Sequence, residues 1–203
     1  MNLSDQPDRS LVAILGSPRR GGNSDTLAKE FIRGAETSGA RAHILIPTDL
    51  GISPCDGDNR CFADGKCVIK DGMNEVFEKV LGARYLLVAS PVYFMGPPGS
   101  LKCFIDRFQA VWARANILKI LDVESAERRR SHRAFAIFVG AVTDKPNYYR
   151  PAVSIVKAFV NVAGFEYSGE IIATGLEGPG DAAKRTDLLE QAFSAGKAFV
   201  TQP

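Results

Sequence analysis

Histidine is scarce in this chain, with two residues among 203. His43 and His132 stand alone, at no spacing that builds a Ser/His/Asp triad or a metal site. No pair of carboxylates is set out for hydrolysis. Excess charge is missing as well. Lys and Arg number 25 against 23 Asp and Glu, leaving +2 with the signs mixed, so no bulk field points to nucleic acid. No apolar run approaches the roughly 20 residues of a membrane span, so no membrane partner is expected. Residues 1–10 form a polar tail that carries acids and fits neither a signal nor a transit peptide. Repeats, low-complexity tracts and domain-sized linkers are absent. Only four cysteines occur, and without a secretion signal they point to a reducing cytoplasm, with free thiols or a metal site.

What is present suits one α/β domain over residues 1–203, since 45% hydrophobic residues can fill its core. Strand-like runs fall at residues 11–15, 42–46, 85–89, 134–139 and 167–173. Helical stripes lie between and after them. One is Leu27, Phe31, Ile32 and Ala35. A longer one, Leu101, Phe104, Ile105, Phe108, Val111 and Trp112, reads as a single helix. Residues 48–71 read as irregular. Five strands alternating with five helices predict a parallel sheet covered on both faces, of order 2-1-3-4-5. The ligand site of that arrangement lies at the carboxyl ends of strands one and three.

The loop after strand one is Gly16-Ser17-Pro18-Arg19-Arg20-Gly21-Gly22-Asn23-Ser24-Asp25-Thr26. Ser24 suits a helix N-cap there. Strand, polar loop and helix N-terminus together build an anion site, because unpaired amides and the helix dipole favour negative charge. Ser17, Asn23, Ser24 and Thr26 offer neutral donors, and Arg19 or Arg20 offers charge. The loop lacks the Gly-Lys-Ser/Thr ending of a P-loop and the Gly-x-Gly-x-x-Gly fingerprint. A single terminal phosphate, as in FMN, fits it. The alternative is an ordinary strand–helix turn. The loop after strand three, Ser90-Pro91-Val92-Tyr93-Phe94-Met95-Gly96-Pro97-Pro98, is stiff and offers Tyr93 and Phe94 as flat surface. It reads either as the bed of a planar ring or as a loop anchored by core aromatics.

On these two loops, and on Leu101-Lys102-Cys103-Phe104-Ile105-Asp106-Arg107, the chain resembles the NADPH-dependent FMN reductase family of flavodoxin-like three-layer proteins. Within it, the iron–sulfur flavoprotein branch is the nearest likeness. The resemblance is specific over residues 11–108 and fold-level beyond Trp112. It implies FMN bound without a covalent link. Ser17, Arg19, Asn23, Ser24 and Thr26 would surround the phosphate, and Pro91, Val92, Tyr93 and Phe94 would lie along the ring, with Gly140 and Ala141 approaching the other side. It also implies an oxidoreductase passing electrons from NADPH or NADH to a small acceptor such as a quinone or flavin, working as a homodimer or homotetramer. The alternative is an iron–sulfur flavoprotein carrying electrons between protein partners.

The branch's cysteine pattern is incomplete. Cys55, Cys61 and Cys67 match, but Asp58 stands at the second position. Cubane clusters take four thiolates, and a carboxylate is a hard, poorer donor for their iron. Asp58 could ligate one iron, the site could hold a three-iron cluster, or the loop could be empty; the empty loop is expected. Zinc is disfavoured, because a Cys-x2-Cys knuckle is lacking. Cys103 falls in an apolar stripe and reads as core. The basic run Arg128, Arg129, Arg130, His132 and Arg133 reads as a solvated lead-in to strand four, or as a landing patch for the 2′-phosphate of NADPH or an acidic partner.

Overall fold

The structure, a computed structural model, describes residues 9–123, 125–145 and 147–201, without the side chains of Ala126, Arg129 and Arg130. Most of the expected N-terminal tail, residues 1–8, lies outside the described residues. Strands β1 (Ser10–Leu15), β2 (Arg41–Leu45), β3 (Tyr85–Pro91), β4 (Arg133–Val139) and β5 (Glu166–Ala173) form one parallel sheet of order β2-β1-β3-β4-β5. The expected flavodoxin-like topology is the observed one.

The pleat of β1 shows how the sequence divides the core. Leu11, Ala13 and Leu15 face one layer, built by α1 (Asn23–Thr37) and α8 (Thr186–Phe199). Val12 and Ile14 face the other. There α3 (Met73–Leu81), α4 (Gly99–Arg107), α5 (Gln109–Asn116) and α7 (Arg150–Val162) pack. Successive strand residues point to opposite faces, so a continuous apolar run is what a strand buried on both sides requires. On the outer layer, α1 and α8 touch backbone to backbone. A Cβ added at Gly34 would lie 2.0 Å from the Phe193 carbonyl oxygen, and one at Gly196 would lie 1.9 Å from that of Phe31.

The structure departs from the expected elements in three places. The stripe from Leu101 to Trp112 is two helices, broken at Phe108. There ψ falls to 0°, and the buried ring packs edge-on against Phe77 and Phe159. The basic run forms a short helix, α6 (Ala126–Ser131), because the Ser125 hydroxyl caps it by accepting from the Arg128 amide at 3.2 Å. Finally, the stretch read as irregular contains a 3-10 turn, Pro47–Asp49, and α2 (Cys61–Asp64). Among the described residues, no helix is long and apolar enough to cross a membrane.

Candidate functional site

The strand order sets the carboxyl ends of β1, β3 and β4 side by side, and a cleft of about 370 Å³ opens there. Its first wall is the β1 loop. Gly16 lets the loop pass close to its neighbours, since a Cβ would lie 2.4 Å from Leu101 Cδ2 and 3.2 Å from the Ala89 carbonyl oxygen. Its amide donates to that same oxygen at 2.7 Å, pinning the loop to β3. Gly21 adopts φ +64°, and the turn is locked from both sides. Ser17 Oγ accepts from the Arg19 amide at 3.1 Å and donates to the Arg19 carbonyl at 3.0 Å. The Gly21 amide donates to Asp25 Oδ2 at 2.9 Å.

Helix α1 starts at Asn23, one residue before the expected cap at Ser24, with Gly22 as N-cap. Its first intrahelical bond runs from the Thr26 amide to the Gly22 carbonyl at 3.0 Å. The amides of Asn23, Ser24 and Asp25 therefore have no partner within the helix. Ser24 is buried at the cleft wall. Arg20 is paired with Asp49 and donates to Thr48 Oγ1 at 3.2 Å. Arg19 lines the cleft and makes no ion pair among the described residues. Asp25 is the one acid in this loop, and burial pushes its carboxyl up against the opposing pull of the Gly21 amide, Lys29 and Arg20. Free amides, a hydroxyl and an unpaired guanidinium on a helix N-terminus fit a phosphate ester.

The second wall is the β3 loop, where Pro91, Val92 and Tyr93 line the cleft. The Val92 amide donates to the Val139 carbonyl at 2.9 Å, tying the loop to β4. Tyr93 and Gly96 exchange two backbone hydrogen bonds of 2.8 and 2.9 Å around a tight turn. That turn forces Phe94 to φ +49° and Met95 to φ +66°, a conformation costly for side chains of this size. As a result Phe94 points wholly into solvent and does not line the cleft. The third wall holds Val139, Gly140 and Ala141. A Cβ at Gly140 would meet the Tyr149 hydroxyl oxygen at 2.7 Å.

The structure thus gathers Ser17, Arg19, Asn23, Ser24, Pro91, Val92, Tyr93, Gly140 and Ala141 around one cleft. It leaves Thr26 outside with Phe94: the Thr26 hydroxyl donates to the Gly22 carbonyl at 3.1 Å. Asn23 is also engaged, donating to the Gly178 carbonyl at 2.9 Å and accepting from the Ala182 amide at 3.0 Å. Asn23 therefore fastens a fourth wall that sequence reasoning missed, Leu176, Glu177, Gly178 and Pro179 in the loop after β5. The Gly- and Pro-rich run closing the last strand at the same sheet edge was the available signal.

The cysteine loop lies elsewhere. Cys55, Asp58, Cys61, Cys67 and Arg107 line a separate space of about 20 Å³. Asp58 is committed to Arg60: its carboxylate accepts from the Arg60 amide at 3.0 Å and pairs with the guanidinium. The hydrogen bonds from Arg60, backbone first, hold that carboxyl below the usual range. Among the described residues, no group of three or more His, Cys, Asp or Glu side chains is placed to hold a metal ion. As placed, the Asp58 carboxylate faces Arg60 in an exposed ion pair and not the three thiols.

The basic run sits at the amino end of the sheet, where Arg133 lies in register with Tyr85 and Glu166 at the starts of β3 and β5. The cleft is at the opposite end. Arg128 donates to the Leu81 carbonyl at 2.8 Å, at the end of α3, and approaches that of Ala163 after α7. Arg133 donates to Ser168 Oγ at 3.0 Å. These positions favour a structural role over a nucleotide landing patch. The side chains of Arg129 and Arg130 lie outside the described residues.

Fold and cleft together define a flavodoxin-like protein whose cleft opens at its topological switch point. Its sequence matches a family over residues 10–145. The chain belongs to the NADPH-dependent FMN reductase family. An iron–sulfur flavoprotein of Methanocaldococcus jannaschii is 35% identical over 97 residues, which is 48% of this chain and 50% of that protein. The chain thus spans about half the length of such curated relatives. YwqN of Bacillus subtilis, provisionally named an NAD(P)H-dependent FMN-containing oxidoreductase, is 26% identical over 90% of this chain and 93% of its own. Among solved structures, an NAD(P)H:quinone oxidoreductase from Methanothermobacter marburgensis superposes with TM-score 0.71 over 96% of this chain and 97% of that one, and at 16% identity it shows the fold alone.

Proposed function

We propose that the cleft binds FMN without a covalent link and that the protein passes electrons from NADPH or NADH to a small acceptor such as a quinone or a flavin. One observation carries this reading: Asn23 and Ser24, whose amides have no helical partner, line the same cleft as the β3 and β4 loops. In it, Arg19, the Ser24 hydroxyl and those amides hold the terminal phosphate, while Ser17 and Asp25 hold the turn in shape. Pro91, Val92 and Tyr93 flank the ring on one side, and Gly140 and Ala141 approach it on the other. When bound, FMN supplies the two-electron chemistry. No side-chain acid or base is assigned a proton. The protein's part is to orient the ring and leave one face open to donor and acceptor in turn. Family membership and the name of YwqN support the donor.

The names of the archaeal relatives favour a second reading, an electron carrier with an iron–sulfur cluster. The engagement of Asp58 by Arg60 weighs against it. Anaerobic stopped-flow mixing separates the two. The enzyme reading expects NADPH or NADH to bleach the bound flavin at a rate that saturates with donor. Bleaching by dithionite alone, with neither nucleotide effective within minutes, would transfer the case to the carrier.

A further inference from the structure

The family resemblance implies Asn23 as a phosphate donor, but its side chain is spent elsewhere. Asn23 is the first residue of α1. Its carboxamide nitrogen donates to the Gly178 carbonyl at 2.9 Å, and its carboxamide oxygen accepts from the Ala182 amide at 3.0 Å. The two bonds fix which way the amide lies, because only its nitrogen can meet a carbonyl and only its oxygen can meet an N–H. The helix whose first turn lines the cleft is thereby clasped to the chain that follows β5.

That segment is tied at other points as well. The Leu176 amide donates to the Gly140 carbonyl at 3.1 Å and joins it to the β4 loop. The Gly178 amide donates to Asp181 Oδ2 at 2.7 Å, and Lys184 Nζ donates to Oδ1 at 3.2 Å. The hydrogen bond from Gly178, and then the one from Lys184, hold the Asp181 carboxyl below the usual range. Ala182 opens a 3-10 turn, Ala182–Lys184, and is fully buried.

The surface this loop turns to the cleft is unlike that of the loop after β1. Leu176, Glu177, Gly178 and Pro179 line it. The Leu176 and Gly178 amides are spent, the Gly178 carbonyl is spent on Asn23, and Pro179 has no N–H. Glu177 is exposed and makes no ion pair among the described residues. A phosphate over the first turn of α1 has this wall beside it, since Asn23 belongs to both. A second phosphate reaching past the first would meet a carboxylate and few donors.

We propose that Asn23 is a positioning residue and Glu177 a specificity-determining one, which together admit a flavin with a single terminal phosphate and refuse one extended by a second phosphate and a nucleoside. The inference rests on the reading of the cleft as a flavin site. Asn23 acts through the loop, and only its backbone amide faces the phosphate. Held against α1, the loop closes the cleft beyond the monoester, and the Glu177 carboxylate repels the added phosphate of a diphosphate diester. FMN is taken and FAD is refused.

Calorimetric titration of the full-length chain, freed of flavin, with riboflavin, FMN and FAD tests this. The wild type should bind FMN at least about tenfold tighter than FAD. Asn23→Ala and Asp181→Ala loosen the same loop from opposite sides, and Asp181 does not line the cleft. Each should shrink the preference for FMN over FAD by roughly fivefold or more. Glu177→Gln, an exposed change that leaves the clasp in place, should shrink it by about threefold with the melting temperature level. In every variant FMN should still outbind riboflavin, because the amides of α1 remain. The inference is overturned if the wild type binds FAD as tightly as FMN, or if any of the three variants keeps the wild-type preference. A loss of FMN affinity in Asn23→Ala, with Asp181→Ala like the wild type, would overturn it by making Asn23 a direct phosphate donor. Equal binding of FMN and riboflavin by the wild type would overturn the reading of the cleft itself, and this inference with it.

Discussion

The loop after β1, residues 16–22, and the loop after β2, residues 46–72, leave the same edge of the sheet and both are rich in polar groups. They treat those groups in opposite ways. The longer loop closes its charges on partners: Asp49 on Arg20, Asp58 on Arg60, Asp71 on Arg107. The shorter one spends Ser17 and Asp25 on its own shape and leaves Arg19 and the first amides of α1 facing open space. The loop after β2 is held as a scaffold, and the loop after β1 is the one we propose as a phosphate cradle.

The largest expected effect comes from breaking the scaffold. Arg107→Leu removes the buried partner of Asp71 and should cost about 3–5 kcal/mol in a denaturant titration. Burial alone would raise the Asp71 carboxyl, but hydrogen bonds from Arg107 and the Ser53 amide hold it below its ordinary value of 3.8. A lowered native pKa means that this stabilisation is complete near neutrality and fades as pH falls below 3.8 toward the native value. The wild type should therefore lose more stability than Arg107→Leu across that acid window. Equal loss would deny the pair its role. Below its melting temperature the variant should still prefer FMN to riboflavin, because the cradle is a separate loop.

A smaller effect comes from weakening the cradle. Arg19→Ala removes a charged donor that holds no other part of the fold, so stability should stay level. FMN affinity should fall by roughly tenfold or more, as for the loss of one charge-assisted hydrogen bond. A drop in stability with unchanged affinity would reverse the assignments of the two loops.

The same contrast explains what the sequence reveals. The central strands β1, β3 and β4 are buried apolar runs and were legible as such, and with them the switch point where the cleft opens; the edge strands β2 and β5 are largely exposed and showed only as shorter runs between helical stripes. Ser17, Arg19 and Ser24 could be placed at the cleft because they sit between the first strand and its helix, and the cleft opens there. Asn23 was visible as a donor, but its bond to Gly178 spans 155 residues, a distance that local pattern does not report. Phe94 looked like a ring contact because aromatic residues in a stiff loop rarely face water. Only the left-handed turn at Phe94 and Met95 sends it outward. The basic run hid its helix because Ser125, and not the charges, starts it.

The central claim is that the cradle recognises a terminal phosphate, and a comparison of FMN with riboflavin tests it most directly. Fluorescence-quenching titrations of the apoprotein should show FMN binding at least tenfold tighter, a difference of about 1.4 kcal/mol carried by the phosphate alone. Equal affinity for the two flavins would contradict the account, since the amides of α1 would then hold nothing that FMN has and riboflavin lacks.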